Sequence, residues 1–328
     1  MYKNVKFVWV LIFSAIILSA CNLNGSSEQD DNANFPSEDI TFIVPYPPGG
    51  GTDLTARILQ PYLEEELGVS VTIQNRDGGG GWVGWSELAN AEPDGYTIGY
   101  MNMPNVILGY LDPQANRSED LDSFDFIINH MSDPGVILTN PDYNDFEDVN
   151  EFIEHAQENE VTLATGGSGT SQHFLGLLLN EQLGTNFTFV HQDGGGEFIP
   201  SLLGGHIDTA FGGLQDGLSP INSGELEGLA LFGDEGSEVF SDVPLLNEEV
   251  GSDTSPMITR SIATPAGVDP EVREALEEAL ERAINNPDHI EELKEFGLDI
   301  DPISGDELDQ MNKDLEEEII NLEDALGW

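Results

Sequence analysis

A strand–turn–helix signal at residues 40–57 constrains the fold of this chain more than any other segment. Ile40–Val44 is an apolar run rich in β-branched side chains, which is typical of a buried strand. Prolines and three consecutive glycines (49–51) then end the run, and Thr52 and Asp53 suit the start of a helix. We expect Asp53 to be the N-cap of this helix and to pair with Arg57, four residues on, on the same helix face. A turn of this kind directs the unpaired backbone N–H groups of a helix start at one point, which favours binding of an anion.

The same kind of turn recurs three more times. Turn 1 is residues 47–53, turn 2 is residues 75–84 (NRDGGGGWVG), turn 3 is residues 166–173 (GGSGTSQH) and turn 4 is residues 191–200 (HQDGGGEFIP). In turn 3, hydroxyl side chains lie next to helix-start N–H groups, which suits a carboxylate or a phosphate. Basic residues are few, so we expect backbone groups and hydroxyls, with no arginine, to hold such an anion.

Apolar strands and amphipathic helices alternate along most of the chain. Besides the first strand, we expect strands at 69–73, 96–101, 135–139, 161–164, 187–190 and 209–211, and helices at 53–67, 81–91, 146–159, 172–182 and 198–203. This order predicts α/β domains with parallel sheets that helices cover on both faces. From Asp269 onward the pattern is almost entirely helical, with helix starts at Pro270 and Pro287 and an acidic amphipathic helix at 306–326.

The N-terminus has the features of a lipoprotein signal peptide. Lys3 and Lys6 precede an apolar run of residues 7–20, which is short for a membrane span. The run ends in Leu-Ser-Ala-Cys, so residues 1–21 read as a signal peptide whose lipobox cysteine, Cys21, becomes lipidated. Residues 22–38 are polar and predict a flexible acidic tether. We therefore expect an exported protein, anchored by lipid to the outer face of the cytoplasmic membrane.

The charge of the chain excludes several classes of partner. The sequence has 62 acidic and 10 basic side chains, a formal net charge of −52. Nucleic acids would be repelled by this charge, as would anionic lipid surfaces. The acids are spread through a chain with 39% hydrophobic residues, which indicates a folded protein adapted to high salt, where self-repulsion is screened. Because Cys21 is the only cysteine, neither a disulfide nor a cysteine metal cluster can form.

Turn 2 fits the dinucleotide-binding pattern Gly-x-Gly-x-x-Gly when it is read from Gly79 to Gly84. The acidic residue expected at the end of the next strand is absent, because Met101, Asn102 and Met103 stand there. No glycine turn continues into Lys-Ser or Lys-Thr, which excludes a P-loop. We therefore expect no cofactor.

Turn 3 is a near match to the nucleophile elbow Gly-x-Ser-x-Gly, with Thr170 in place of the last glycine. A catalytic triad around Ser168 with His173 or His191 would need a buried acid. Neither histidine has the spacing of metal ligands, so we expect an uncharged hydrogen-bonding role for each and no metal site. An exported hydrolase stays open as a minor alternative to a binding protein.

Six motifs, in their order and spacing, resemble one family. They are VPYPPGGGTD at 44–53 with Arg57, NR at 75–76 before the glycines of turn 2, PDGYT at 93–97, GTSQH at 169–173, GGG at 194–196 and LLGGHID at 202–208. In these, the chain resembles the Bug-type extracytoplasmic receptors of tripartite tricarboxylate transporters. It departs from the family at Asp77 and the extra glycines of turn 2, and at residues 191–193, where the family usually has Pro-Tyr-Lys.

The resemblance runs from about Asp39 to the C-terminus and implies a fold and a function. The fold is the type II periplasmic-binding-protein fold, a Venus flytrap of two α/β domains with a ligand cleft between them. Domain 1 would comprise residues 39–136 and 258–328, and domain 2 residues 137–257. The family implies a receptor without enzymatic activity that captures a small di- or tricarboxylate or similar carboxylate and delivers it to transporter membrane subunits.

The expected ligand contacts follow from the turns and from the family together. We expect them at Pro48, Gly49, Gly50, Gly51, Thr52 and Asp53, at Asn102, at Ser168, Gly169, Thr170, Ser171 and His173, and at Gly194, Gly195 and Gly196. We expect a monomer and no nucleic-acid partner. A receptor that presents its ligand to a membrane sensor remains an alternative to transport, and the sequence leaves the identity of the carboxylate open.

Overall fold

The computed structural model describes residues 35–144, 146–192, 194–233, 236–237, 239–251 and 258–321. The signal peptide, Cys21 and residues 22–34 of the tether lie outside these residues, so the predictions made for them are untested. Residues 36–328 group as one compact unit of the chain. No helix in the described part of the chain is both long enough and apolar enough to span a membrane.

Ten strands form two five-stranded sheets. The strands are β1 (Ile40–Val44), β2 (Val71–Asn75), β3 (Thr97–Met103), β4 (Phe124–Asp133), β5 (Gly135–Thr139), β6 (Val161–Thr165), β7 (Phe187–His191), β8 (Thr209–Gly213), β9 (Glu227–Phe232) and β10 (Ile258–Pro265). The first lobe has the strand order β2-β1-β3-β10-β4, and the second has β7-β6-β8-β5-β9. The two orders are equivalent, because in each lobe the fourth position is taken by the first strand that the chain forms after it leaves the other lobe.

Helices cover the sheets. They are α1 (Gly51–Leu67), α2 (Trp82–Ala89), α3 (Asn105–Leu111), α4 (Val149–Glu158), α5 (Ser171–Gln182), α6 (Gly195–Leu203), α7 (Leu214–Ser223), α8 (Leu246–Val250), α9 (Pro270–Ile284), α10 (Pro287–Lys294) and α11 (Gly305–Asn321). Asp269 and Asn286 accept backbone N–H groups at the starts of α9 and α10, each just before a proline. The two helix starts predicted at these prolines are confirmed.

The prediction of parallel sheets was wrong for one strand in each lobe. β10 runs antiparallel to both β3 and β4, and β5 runs antiparallel to both β8 and β9. These are the strands through which the chain passes between the lobes: β5 begins two residues after β4 ends. A strand that enters a sheet from the other lobe arrives from the opposite end, which reverses its direction.

The cores explain why the strands form where they do. Ile40, Phe42 and Val44 are fully buried in the first lobe, and all five residues of β5 are buried in the second. The strands predicted at 40–44 and 135–139 have the observed bounds, whereas β2 starts two residues later than predicted. β4 was missed because its sequence, FDFIINHMSD, mixes apolar with polar residues. Its Asn129 and His130 are nevertheless fully buried.

Candidate functional site

A cavity of about 260 Å³ lies between the two lobes, where the glycine turns meet. From the first lobe it is lined by Tyr46, Pro47, Pro48, Gly50, Gly51, Thr52, Asn102, Asn105, Ile258 and Arg260. From the second lobe it is lined by Gly166, Thr170, Ser171, Gln172, Gly194, Gly195, Gly196, Glu197, Phe198, Gly213, Gln215 and Asp216. Helices α1, α5, α6 and α7 therefore all begin at or next to this cavity.

Turn 1 is held in shape by Asp53. The helix begins at Gly51, so Asp53 is its third residue, and the prediction that Asp53 caps the helix from outside was wrong. Its carboxylate accepts the Gly49 N–H at 2.9 Å, Arg57 Nε at 2.9 Å and Asn75 Nδ2 at 2.9 Å, which confirms the predicted pairing with Arg57. Burial opposes ionisation of Asp53, but these hydrogen bonds outweigh it and hold its pKa below the usual value.

The first lobe presents an amide, a hydroxyl and a guanidinium to the cavity. Asn102 Nδ2 donates to Thr52 Oγ1 at 3.1 Å, while Asn102 Oδ1 is buried without a hydrogen-bond partner. Arg260 pairs with Asn102 across strands β10 and β3, and it is only 2% exposed. Its Nη1 lies 3.1 Å from Met131 Sδ. Arg260 therefore lines the cavity, for which the sequence had suggested only backbone groups and hydroxyls.

Turn 3 is ordered by its own side chains. Thr170 Oγ1 donates to the Gly167 carbonyl at 2.8 Å, and the Gly169 N–H donates to His173 Nδ1 at 3.2 Å. Burial, and then the nearby His191, lower the pKa of His173 to about 4, so the ring is neutral at neutral pH and its Nδ1 can accept. His191 Nδ1 lies 2.8 Å from Thr165 Oγ1. Both histidines thus have the uncharged hydrogen-bonding role that the sequence predicted.

A chain of hydrogen bonds crosses from one lobe to the other along the cavity wall. The Ser171 N–H, in the second lobe, donates to Asn105 Oδ1 at 2.6 Å. Asn105 Nδ2 donates to the Tyr46 hydroxyl at 2.6 Å, which in turn donates to the Gly80 carbonyl at 3.3 Å. Turn 2 therefore supports the cleft through Gly80, although it does not line the cavity.

Helix α7 brings a carboxylate into the cavity. Asp216, the third residue of α7, accepts the Gly213 N–H through Oδ2 at 3.1 Å. Burial raises the pKa of Asp216 to about 6, against the opposing effects of the Gly213 N–H and of the Arg260 charge. A carboxyl group in this environment is close to half protonated in mildly acidic solution.

Side chains at the start of α7 lie close to two glycines of the cavity. A Cβ atom on Gly51 would lie 2.0 Å from Gln215 Nε2, across the cleft. A Cβ atom on Gly195 would lie 2.1 Å from Asp216 Oδ1. The first contact indicates that the lobes are closed upon each other, and the second that Asp216 occupies the space next to the start of α6.

The structure brings ten of the fifteen predicted ligand residues to the cavity. They are Pro48, Gly50, Gly51, Thr52, Asn102, Thr170, Ser171, Gly194, Gly195 and Gly196. The other five, Gly49, Asp53, Ser168, Gly169 and His173, do not line it. Asp53 and His173 instead bond to Gly49 and Gly169, the backbone of their own turns, which is a role that spacing alone could not distinguish from ligand contact.

Sequence reasoning missed seven polar residues of the cavity: Tyr46, Asn105, Gln172, Glu197, Gln215, Asp216 and Arg260. A signal existed for two of them, Gln215 and Asp216, because Gly212 and Gly213 end strand β8 and directly precede α7, much as glycines precede the helices of the other turns. Within the described part of the chain, no group of three or more His, Cys, Asp or Glu residues is arranged to hold a metal ion.

Comparison with known proteins now identifies the family. The sequence pattern of the tripartite tricarboxylate transporter family receptor matches residues 55–325. The chain belongs to this family. A UPF0065 protein of Bordetella pertussis is 30% identical over 274 residues, 81% of this chain and 82% of that protein. Protein BugT of the same organism is 29% identical over 266 residues, 77% of this chain and 78% of BugT.

Solved structures agree with this assignment to the tripartite tricarboxylate transporter family receptors. The periplasmic binding protein BugD superposes with a TM-score of 0.82 at 25% identity, over 89% of this chain and 98% of BugD. MatC from Rhodopseudomonas palustris, determined with bound malate, superposes with a TM-score of 0.76 at 24% identity, over 89% of this chain and 99% of MatC. The periplasmic-binding-protein fold of two α/β domains around a cleft is therefore confirmed, and the chain is a solute-binding receptor.

Proposed function

We propose that this receptor is exported, binds a small carboxylate in the cavity between its lobes and delivers it to the membrane subunits of a tripartite transporter. The observation that carries the proposal is the convergence of four helix N-termini and Arg260 on one cavity. Each N-terminus contributes a fixed partial charge of roughly +0.5, which attracts a carboxylate. The description of the family as tricarboxylate transporter receptors supports the same ligand class.

The proposed ligand contacts are the cavity-lining residues of turns 1, 3 and 4, together with Asn102 and Arg260. Gly49, Asp53, Ser168, Gly169 and His173 keep these turns in shape and act on the ligand through them. The net charge of −52 opposes capture of an anion at long range. High salt reduces this opposition, because it shortens the Debye length to about 3 Å at 1 M, whereas donors about 3 Å from the ligand still act.

The segment before the fold would hold the receptor at the membrane. We propose lipidation of Cys21, a tether over residues 22–38, and domains that comprise 39–136 with 258–328, and 137–257. A Cys21→Ala variant is expected to appear in the medium or periplasm without incorporated fatty acid, whereas the native protein is recovered with the membrane. Membrane recovery of the variant would contradict the lipid anchor.

Ligand-induced thermal stabilisation tests the carboxylate site. A carboxylate at 100 times its Kd adds about 2.7 kcal/mol to the free energy of unfolding, which raises the Tm by roughly 5–10 °C for a chain of this size. A Gly51→Val variant should lose this shift, because its Cβ would contact Gln215 and keep the lobes apart. Gly236→Val is the matched control, since Gly236 is exposed and has open space around it.

Two outcomes would contradict the proposed site. One is the absence of any Tm shift across a panel of mono-, di- and tricarboxylates at high salt. The other is an unchanged shift in Gly51→Val. Delivery to a transporter is tested separately: deletion of the gene should abolish cellular uptake of the ligand. Uptake that survives while a ligand-dependent transcriptional response is lost would indicate a sensor, and turnover of ester substrates by the purified protein would indicate a hydrolase.

A further inference from the structure

The cavity contains a carboxylate of its own, and a receptor for simple carboxylates gains nothing from it. Asp216 lies between the starts of α6 and α7, with Oδ2 on the Gly213 N–H and Oδ1 against Gly195. In that position it repels a carboxylate ligand, and the repulsion is stronger in a partly dehydrated cleft than in water. A ligand group that carries positive charge or hydrogen-bond donors would convert this repulsion into attraction.

The polar groups of the cavity are distributed unequally between the lobes. The first lobe contributes Arg260, the start of α1 and the amide of Asn102. The second lobe contributes the starts of α5, α6 and α7 and, beside them, two acids, Asp216 and Glu197, together with Gln172, whose Oε1 is buried without a hydrogen-bond partner. The first wall thus has donors and a positive charge but no acid, whereas the second adds oxygen acceptors that suit a group with several N–H donors.

We propose that the cleft selects a zwitterionic ligand, an amino acid or a similar molecule, whose carboxylate lies at the α1 wall and whose protonated amine faces Asp216. The inference rests on the proposed function, because it adds the amine to the carboxylate that the receptor binds. An ammonium group has three donors and no acceptor, which matches the acceptors of the second lobe.

The positive charge of Arg260 does not fully compensate the negative charge of Asp216. Its charge lowers the pKa of Asp216, but the effect of burial is larger, and the pKa stays raised at about 6. The ionised form of Asp216 is thus incompletely compensated in the free receptor. A ligand amine would complete the compensation. A ligand with the amine would therefore bind more tightly than the same ligand with a hydrogen atom at that carbon.

The test uses pairs of ligands that differ by one amine: alanine with propionate, aspartate with succinate, and glutamate with glutarate. Calorimetric titration of the mature protein at pH 8 is expected to give at least tenfold tighter binding of the amine-bearing member of the pair that fits the cleft. Asp216→Asn should reduce this ratio to about one or invert it. Glu154→Gln, which removes an exposed charge on α4, is the matched control and should leave the ratio unchanged.

A second measurement needs no variant. Between pH 8 and pH 5 Asp216 takes up a proton, so the preference of the native protein for the amine-bearing ligand should decline. Arg260 on β10 and Glu197 on α6 are the other charged side chains that line the cavity. Both are still present in Asp216→Asn, and we expect that they do not produce the amine preference without Asp216. Asn keeps the shape of the side chain and can still accept the Gly213 N–H.

The outcomes separate this inference from the proposed function. Equal or weaker binding of the amine-bearing members, with measurable binding of the others, overturns the inference and leaves the carboxylate receptor intact. An amine preference that Asp216→Asn leaves unchanged also overturns it. Absence of binding by every carboxylate overturns the proposed function, and the inference with it.

Discussion

Two aspartates, one in each lobe, are the third residue of a helix that follows a glycine turn, and their surroundings give them opposite roles. Asp53 is the third residue of α1 and Asp216 is the third residue of α7, and each accepts a backbone N–H from the turn before its helix. Asp53 has Arg57 and Asn75 as further partners, and its pKa is lowered. Asp216 lines the cavity, and its pKa is raised to about 6.

The comparison shows that local sequence does not decide whether a turn aspartate is structural or functional. The elements around the aspartate decide it: Asn75 at the end of β2 and Arg57 in the next turn of α1 are partners of Asp53. A carboxylate that accepts several hydrogen bonds is stabilised as an anion and fixed in place. A buried carboxylate with fewer donors is destabilised as an anion, which keeps it available to a ligand.

The largest effect is expected from removing Asp53. Asp53→Ala would leave the Gly49 N–H and the Asn75 amide without their shared acceptor, and the Arg57 charge without its partner. Loss of about 2–4 kcal/mol in the free energy of unfolding is expected, because three hydrogen bonds to a buried, ionised carboxylate are lost together. Urea denaturation measures it, with Glu154→Ala on the exposed face of α4 as the control, expected within about 0.5 kcal/mol of the native protein.

Asp216 should respond in the opposite direction. Burial raises its pKa to about 6, so the native state binds more protons than the unfolded state between about pH 4 and pH 6, and stability falls as the pH rises through this window. Asp216→Asn is therefore expected to raise the free energy of unfolding by about 1–3 kcal/mol at pH 8. The gain should disappear at pH 4, where both side chains are neutral.

Denaturation of the ligand-free variant at both pH values checks this second prediction. Arg260, Glu197 and the Tyr46 hydroxyl line the same cavity, and their contributions are common to the variant and the native protein. A loss of stability at pH 8 would show that Asp216 supports the fold in the manner of Asp53, and the contrast between the two lobes would then be wrong.

The same contrast explains how far the sequence could predict the molecule. Apolar runs such as Ile40–Val44 and 135–139 are buried on both faces, so their composition alone indicates strands. The glycines before α7 were the signal for Asp216, since the residue type itself indicates little in a chain with 62 acids. Arg260 lies in the middle of β10, and its pairing with Asn102 joins residues far apart in the chain, which local patterns do not encode. For the same reason the reversed directions of β5 and β10 were missed.

The smallest effect is expected at Arg57, whose side chain is 48% exposed although its partner Asp53 is 3% exposed. Arg57→Met removes the ion pair but leaves the Gly49 and Asn75 bonds to Asp53, so the loss should be about 0.5–1 kcal/mol and smaller still at high salt. The pKa of Asp53 should then rise, and acid unfolding should begin at a higher pH than in the native protein. Urea denaturation at low and high salt, with Arg57→Lys as the charge-preserving control, measures the difference. A loss as large as that of Asp53→Ala would mean that the arginine, and not the backbone and amide donors, makes Asp53 structural.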